Sequence, residues 1–458
     1  MKKPLSFIFI FLCFLLSLTA CQNNETPASE PAEPPMETTQ PEPAAPPEPE
    51  KDSELPQREK DWMEDIEFLR TEYKKSHLDP FYLCTEEEFD WKLDQLLKKT
   101  NNLSDSDIYF EISVILAGMG DVHTAALEPA YVLDETLAVG VRYFGERLYL
   151  YGYPKGYEQF EPHLMQEVVA INGIDIAYLR KKAESVLDPH NVWHTKENAV
   201  FLYRLPAFLD WAGCDYQEGY TFQILNANQE VESIPVPVVS SKDLDPGEWV
   251  VAENLKTISY LKGGNWASYC HGENGGFVYM VFSDLDETSI VLYQNLFQET
   301  VQLINAHPDC GKLVIDLRNH GGGRSYLLDF LREIVGEMKT PWMEQVYVVT
   351  SGTTMSAAIS CIEMFQMELD AIVIGEPTGQ FTSFFGYSFM EPIVLPHSQI
   401  HVNFGNYWHQ GASSEEIYDE NGRLYPWENT ILPDVYVYQD IEDIRQGKDS
   451  VLEWVLKQ

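Results

Sequence analysis

The segment VVTSGTTMSAAIS, residues 348–360, connects an apolar run to a helix-like pattern through a turn of small and hydroxyl-bearing residues. Residues 346–350 predict a buried strand, and the residues after Ser356 favour a helix. A helix N-terminus has unpaired N–H groups and a partial positive charge, and both stabilise a nearby oxyanion. The small side chains of Ala357 and Ala358 let a carbonyl group approach this backbone. Ser356 is therefore a candidate nucleophile.

A helix cap is the alternative interpretation of this turn. The side chain of Ser356, Thr353 or Thr354 would then accept a hydrogen bond from the first turn of the helix, which is a common use of Ser and Thr. This stretch alone does not separate the two interpretations. A nucleophile also needs a base, an orienting acid and donors for an oxyanion.

A glycine-rich loop follows a second predicted strand. The sequence DLRNHGGG, residues 316–323, places three glycines directly after the buried-looking residues 312–317. Glycine lacks a Cβ, so this backbone turns sharply or lies close to a ligand. A phosphate-binding loop is excluded because the Gly-Lys-Ser/Thr ending is missing.

Strands and helices alternate through residues 245–458. Such alternation predicts an α/β unit with a mostly parallel sheet that is covered on its faces. The predicted strands are residues 276–282, 312–317, 346–350 and 371–375, and the predicted helices are residues 289–306, 326–335 and 356–367.

Two further regions precede this unit. Residues 59–128 contain three stretches with apolar residues at helical spacing, which predicts a helical N-terminal domain ending near His123. Residues 129–244 read as a β-rich region, with a hairpin around Gly145 and a tight turn at Asn172-Gly173. Residues 168–176 resemble the peptide-docking strand and turn of a PDZ-like module.

The N-terminus indicates export. Lys2 and Lys3 precede an apolar run, residues 7–18, that is too short to span a bilayer and is typical of a secretory signal. The sequence LTAC, ending at Cys21, resembles the bacterial lipobox, which implies a signal peptide at residues 1–20 and lipidation of Cys21. Residues 21–58 are rich in Pro and Glu, which predicts an extended tether without a core.

Composition and spacing exclude several classes of partner. The net charge of −41, from 31 basic and 72 acidic residues, argues against nucleic acid, which is bound largely through Lys and Arg. The cysteines show no Cys-x-x-Cys pair and the histidines no His-Glu-x-x-His motif, so a zinc site is not expected. No cofactor is implied.

Four motifs in order resemble the S41 serine peptidases, the C-terminal processing or tail-specific family. They are GDVHT at residues 120–124, VIDLRNHGGG at 314–323, TSGTTMSAA at 350–358 and GEPTG at 375–379, followed by LPDV at 432–435. The resemblance covers residues 60 to 440. It implies an α/β multidomain protein with a helical N-terminal domain, a PDZ-like region and a crotonase-like ββα catalytic core.

The resemblance also implies catalytic roles. One branch of the family uses a Ser-Lys dyad, but residues 357–433 contain no lysine, and QFTSFF at 380–385 stands where the lysine belongs. The Ser-His-Glu, tricorn-like branch remains, with His123 as base and Glu415, or the adjacent Glu416, as orienting acid. The implied oxyanion donors are the N–H of Ala357 and that of Gly322 or Gly323. His320 stands where relatives usually have Asn.

The predicted function is a surface-anchored serine endopeptidase acting on extracytoplasmic proteins or peptides, with the membrane contacted only through the N-terminal lipid. A catalytically inactive S41-like protein that binds peptides or scaffolds partners is the alternative. A solute-capturing lipoprotein would need two similar lobes, and the sequence shows no internal duplication.

Overall fold

The C-terminal part of the chain forms a six-stranded sheet that carries the predicted nucleophile. The structure is a computed structural model, and it describes residues 55–214, 219–245, 247–272, 276–286, 289–387, 391–411 and 430–458. The helices are α1 (Gln57–Ser76), α2 (Glu86–Leu97), α3 (Asp105–Ala117), α4 (Ala130–Leu133), α5 (Ile176–Leu187), α6 (Val192–Leu202), α7 (Pro206–Trp211), α8 (Ile290–Ala306), α9 (Arg332–Glu337), α10 (Ala357–Leu369), α11 (Ile441–Arg445) and α12 (Ser450–Val455).

The strands belong to an α/β architecture, as the sequence predicted. They are β1 (Ala125–Ala126), β2 (Glu135–Leu137), β3 (Gly140–Phe144), β4 (Arg147–Pro154), β5 (Glu167–Ile171), β6 (Ile174–Asp175), β7 (Tyr220–Leu225), β8 (Val231–Val236), β9 (Val238–Ser240), β10 (Trp249–Val251), β11 (Trp266–Cys270), β12 (Phe277–Val281), β13 (Lys312–Asp316), β14 (Gln345–Thr350), β15 (Ile372–Gly375), β16 (Phe384–Gly386), β17 (Ile393–Val394), β18 (His401–Asn403), β19 (Tyr407–His409) and β20 (Val435–Tyr436).

The six-stranded sheet has the order β11-β12-β13-β14-β15-β20, and all strands except β11 run parallel. Alternate residues of β12 to β15 pack against α8, α9 and α10 on one face and against α12 on the other. Both faces are therefore buried, which explains the continuous apolar runs in these strands. In register, Thr350 lies beside Gly375, so the carboxyl ends of β14 and β15 meet at one edge.

A second core joins the N-terminal helices to the middle region. Buried apolar residues of α1 to α3 form one cluster with those of α5 to α7 and of β3 to β8, and residues 393–404 complete it. The boundary predicted at residue 128 therefore lies inside a continuous core. The described part of the middle region also contains the helices α4 to α7, which the β-rich description missed. In α5, the side chain of Asp175 caps the N-terminus and Ile176, Leu179 and Ala183 supply the buried face.

The two predicted turns of the middle region are present. β3 and β4 form a hairpin through Gly145, and β5 and β6 are joined by Asn172 and Gly173. Asn172 and Gly173 have positive φ, 46° and 76°, as a primed turn requires. However, β7 pairs with one edge of β5, while β4 and β6 pair with the other. No continuous edge of β5 is free, so the predicted peptide-docking strand cannot add a peptide strand there.

The strand that follows His123 pairs with a late part of the chain. Ala125 and Ala126 of β1 pair antiparallel with Asn403 and Val402 of β18, which also pairs with β17. This pairing brings the histidine segment, residues 120–124, close to β18, which follows Ser356 in the sequence.

Cys84, Cys214, Cys270, Cys310 and Cys361 are all free. Within the described ranges, no helix combines the length and apolarity needed to cross a membrane.

Candidate active site

Ser356 lies at the turn between β14 and α10, at the carboxyl edge of the sheet. Its backbone has φ 55° and ψ −125°, a conformation that non-glycine residues rarely adopt. The turn is fixed by its other hydroxyls, because Thr354 Oγ1 donates to the Leu317 carbonyl and accepts from the Ser351 N–H. The Ser356 side chain makes no cap hydrogen bond to α10. The helix-cap interpretation is therefore wrong for Ser356.

The side chain of His123, which follows α3 in the chain, faces Ser356 at the edge of the six-stranded sheet. Its Nε2 lies 3.2 Å from Ser356 Oγ, although the residues are 233 positions apart. The ring packs against Phe384 with centroids 5.7 Å apart and planes 23° from parallel. Burial lowers the pKa of His123, while Asp121 and the Phe385 backbone carbonyl oppose this effect. The imidazole is therefore neutral at neutral pH, as a general base must be.

Asp121 anchors the histidine segment, and its role was not predicted. Its Oδ1 accepts from the His123 backbone N–H at 2.9 Å. Its Oδ2 accepts from His77 Nε2, from Thr124 Oγ1 and from the Gly405 N–H, at 3.0, 2.8 and 3.1 Å. Asp121 Oδ1 is 3.8 Å from His123 Nδ1, which is too long for a hydrogen bond. The aspartate in the GDVHT motif was the signal that could have identified this anchor.

Gln380 contacts both members of the pair, and it too was missed. Its Nε2 lies 3.2 Å from His123 Nδ1, and its Oε1 accepts from the Ser356 backbone N–H. The side chain is buried. In the sequence, Gln380 opens the stretch that stands where the dyad branch has its lysine, and this position was the available signal.

The glycine loop lies against the nucleophile. Gly322 has φ 113°, and a Cβ added there would lie 2.5 Å from Ser356 Cβ and 3.0 Å from its Oγ. Gly323 has φ 123°, and its added Cβ would lie 2.5 Å from the Leu285 carbonyl carbon. Only glycine fits at either position, because both the backbone angle and the space exclude a side chain.

His320 distinguishes the two glycine N–H groups. Its Nδ1 accepts from the Gly322 N–H at 3.1 Å, so this donor is already used. Among the described residues, the N–H groups of Gly323 and Ala357 have no hydrogen-bond acceptor. Of the N–H groups that the sequence named as candidate oxyanion donors, these two are therefore the ones without an acceptor. Burial also lowers the pKa of His320 to about 3, so that this ring is neutral.

The remaining predicted site residues lie outside the described residues. Glu415 and Glu416 fall between residues 411 and 430, and Cys21 precedes residue 55. Neither the orienting acid nor the lipidation site is therefore placed.

An aromatic cleft adjoins the pair. Gln380 and Phe384 line it together with Tyr82, Phe385 and Trp408, and its free space is about that of one water molecule. The ring of Phe385 contacts those of Tyr82 and Trp408 at centroid distances of 5.1 and 4.8 Å.

Comparison with known proteins shows the fold. No protein-family model and no curated protein sequence matches this chain. Among solved structures, mature CPAF complexed with lactacystin is 11% identical, with a TM-score of 0.56 over 87% of this chain and 98% of that one. Mature CPAF alone has the same TM-score and identity over 87% and 97%, and a CPAF mutant has a TM-score of 0.55 at 12% identity over 87% and 97%. This chain therefore has the fold of mature CPAF across nearly the whole of that protein.

Proposed function

We propose that this protein is a serine peptidase of the S41 type, in which Ser356 attacks a peptide carbonyl and His123 acts as general base. The observation that carries the proposal is the 3.2 Å contact between His123 Nε2 and Ser356 Oγ beside a glycine-lined loop. The shared fold with CPAF and the order of the sequence motifs support it.

The chemistry follows from the arrangement. Ser356 Oγ bonds to the carbonyl carbon as its proton passes to His123 Nε2, and the N–H groups of Gly323 and Ala357 stabilise the oxyanion. Each such donor contributes about 3 kcal/mol to lowering the barrier. The C–N bond then breaks, and His123 returns the proton to the leaving amine. Water hydrolyses the acyl-enzyme by the same route in reverse.

The proposed substrates are extracytoplasmic proteins or peptides. The acid of the proposed triad is Glu415 or Glu416, on the basis of their distance in sequence from Ser356. The proposed location is the outer side of the cell membrane, anchored through lipid on Cys21, on the basis of the signal-like and lipobox-like N-terminus.

A peptide-binding protein without turnover is the second candidate. It is favoured by one observation, the 3.2 Å distance between His123 Nδ1 and Gln380 Nε2, an amide nitrogen that can only donate. This hydrogen bond places the imidazole proton on the wrong nitrogen for a general base.

Labelling with a fluorophosphonate probe separates the two candidates. We expect the purified protein to be labelled and Ser356→Ala to abolish labelling. His123→Ala should slow labelling by a factor of at least about 100, because the general base is lost. Ser360→Ala is the matched control on the same helix and should be labelled at the original rate.

The pH dependence provides a second criterion. The labelling rate should fall with acidification through a pKa below the ordinary histidine value of about 6.5, because burial lowers the pKa of His123. A folded protein that is not labelled, or labelling that persists in Ser356→Ala, would contradict the peptidase proposal.

A further inference from the structure

One buried amide connects the two members of the catalytic pair. Gln380 is 3% exposed, and its Oε1 accepts from the Ser356 N–H while its Nε2 donates to His123 Nδ1. The Gln380 backbone carbonyl accepts from Thr378 Oγ1 at 2.9 Å, which fixes the main chain beneath the side chain. The amide therefore has little freedom to move without breaking several contacts.

The orientation of this amide is determined by its partners. A backbone N–H can only donate, so the amide oxygen must face Ser356 and the NH₂ group must face His123. With oxygen and nitrogen exchanged, two donors would meet at Ser356 and one buried N–H would be left without an acceptor. Such a loss costs about 1–3 kcal/mol.

The orientation of the amide sets the tautomer of His123. Because Nδ1 accepts a hydrogen bond, the neutral ring carries its proton on Nε2, the atom that faces Ser356 Oγ. A protonated Nε2 cannot take the proton of the hydroxyl. A general base needs the proton on Nδ1, with an acceptor there, and a lone pair on Nε2.

We propose that Gln380 is a positioning residue that holds the Ser356–His123 pair in a resting tautomer, and that the pair becomes competent when the Gln380 NH₂ group leaves Nδ1. This inference rests on the proposed function. In the competent state the ring proton lies on Nδ1, so one proton leaves Nε2 and one is taken up at Nδ1 through solvent, with no change in charge.

Two substitutions test the role of the amide. In Gln380→Glu, both carboxylate oxygens accept, so one retains the Ser356 N–H and the other accepts a proton from Nδ1. We expect this variant to adopt the competent tautomer and to react with a fluorophosphonate on the order of tenfold faster, because the competent fraction of the protein rises. Gln380→Met removes both hydrogen bonds and should give a rate between the two.

The decisive readout is the ¹⁵N NMR signal of the His123 ring. Nδ1 should be unprotonated in the wild-type protein and protonated in Gln380→Glu. The acid limb of the labelling rate should also move to higher pH in Gln380→Glu, because a carboxylate beside the ring stabilises the imidazolium. Gln366→Glu, an exposed change of the same charge on α10, should alter neither the tautomer nor the rate.

The outcomes separate this inference from the proposed function. A proton on Nδ1 in the wild-type protein, or no change of tautomer in a folded Gln380→Glu, overturns the role of Gln380 whether or not the protein is a peptidase. The expected tautomers without any labelling of either protein would support the role of Gln380 as a positioning residue and contradict the peptidase proposal. Circular dichroism establishes that each variant is folded.

Discussion

Ser356 is held in a backbone conformation that costs a non-glycine residue about 1–3 kcal/mol. The hydroxyls of Ser351 and Thr354 hold the turn against the residues that follow β13. They donate to the carbonyls of Arg318 and Leu317, both at 2.8 Å. In this conformation the Ser356 hydroxyl faces His123 and does not cap α10. In this turn the hydroxyls of Ser351 and Thr354 therefore hold the backbone, while the Ser356 hydroxyl faces His123.

His320 gives a prediction at the same scale. Its pKa of about 3 means that it stays neutral in the folded chain, whereas in the unfolded chain it titrates near 6.5. Below pH 6.5 the unfolded state therefore binds a proton that the folded state does not, so the free energy of unfolding falls as the pH falls towards 3. The limiting slope is about 1.4 kcal/mol per pH unit.

The variant His320→Asn removes this titration and retains an acceptor for the Gly322 N–H. Between pH 7 and pH 5, the wild-type protein should lose about 2 kcal/mol more of its free energy of unfolding than the variant. Urea unfolding at both pH values measures the difference. The exposed His271→Asn should keep the wild-type pH dependence, and an equal dependence in His320→Asn would refute the prediction.

At the scale of elements, the histidine segment depends on a short strand and one aspartate. β1 has only two residues, Ala125 and Ala126, and gains its order by pairing with β18. Before it, Asp121 accepts hydrogen bonds from both its own segment and Gly405. His77 Nδ1 accepts from the Asp79 N–H, so the ring proton lies on Nε2 and is donated to Asp121. The segment is therefore positioned by distant parts of the chain.

Asp121→Asn tests this anchor. Asparagine has one acceptor oxygen where aspartate has two, so the NH₂ group must face one of the existing donors. We expect the oxygen to keep the three donors at Oδ2 and the His123 N–H to lose its acceptor, at a cost of about 1–3 kcal/mol in the free energy of unfolding. Urea denaturation measures the loss. Asp79→Asn, an exposed change of equal charge nearby, should stay within about 0.5 kcal/mol of the wild-type protein.

At the scale of the whole molecule, α6 joins the two cores beside the active site. Its Trp193 carbonyl approaches Gly352, and Asn191 Nδ2 donates to the Thr378 carbonyl at 3.1 Å. The strongest link is a buried ion pair, in which Lys196 Nζ lies 3.0 and 3.1 Å from the two carboxylate oxygens of Glu376. Lys196 is 1% exposed and Glu376 follows β15 directly.

Breaking this pair should destabilise the junction strongly. Lys196→Met leaves the carboxylate of Glu376 buried without its partner, and we expect a loss of about 3–5 kcal/mol in the free energy of unfolding. The double variant Lys196→Met/Glu376→Gln should recover at least about 2 kcal/mol, since no charge is then left uncompensated. Chemical denaturation of the wild-type protein, Lys196→Met, Glu376→Gln and the double variant gives the coupling energy of the pair.

The exposed pair Lys155–Glu248 is the matched control, with its charged atoms 2.9 Å apart and both side chains more than half exposed. Lys155→Met should cost less than about 1 kcal/mol. Similar losses at the two sites would show that the Lys196–Glu376 pair does not stabilise the junction.

The sequence by itself determined the strands β12 to β15 and the helices α8 and α10 around them, the turns at Gly145 and at Asn172-Gly173, and the candidates Ser356 and His123. These features depend on side-chain periodicity and backbone preference over a few residues, which a linear sequence contains in full. The same local reasoning missed α4 to α7. It also placed a docking strand at β5, because which edge of a strand is free depends on its neighbours in the sheet.

Only the tertiary structure decided the site itself. The contact of His123 with Ser356 and the bridge made by Gln380 join residues from distant parts of the chain, and the hydrogen bond from the Gly322 N–H to His320 depends on the folded path of the glycine loop. Their positions result from the packing of two cores against each other. Hydrogen bonds form only within about 3 Å and in a narrow range of angles, so residue types and spacing can suggest partners, but only the packed chain determines which atoms meet.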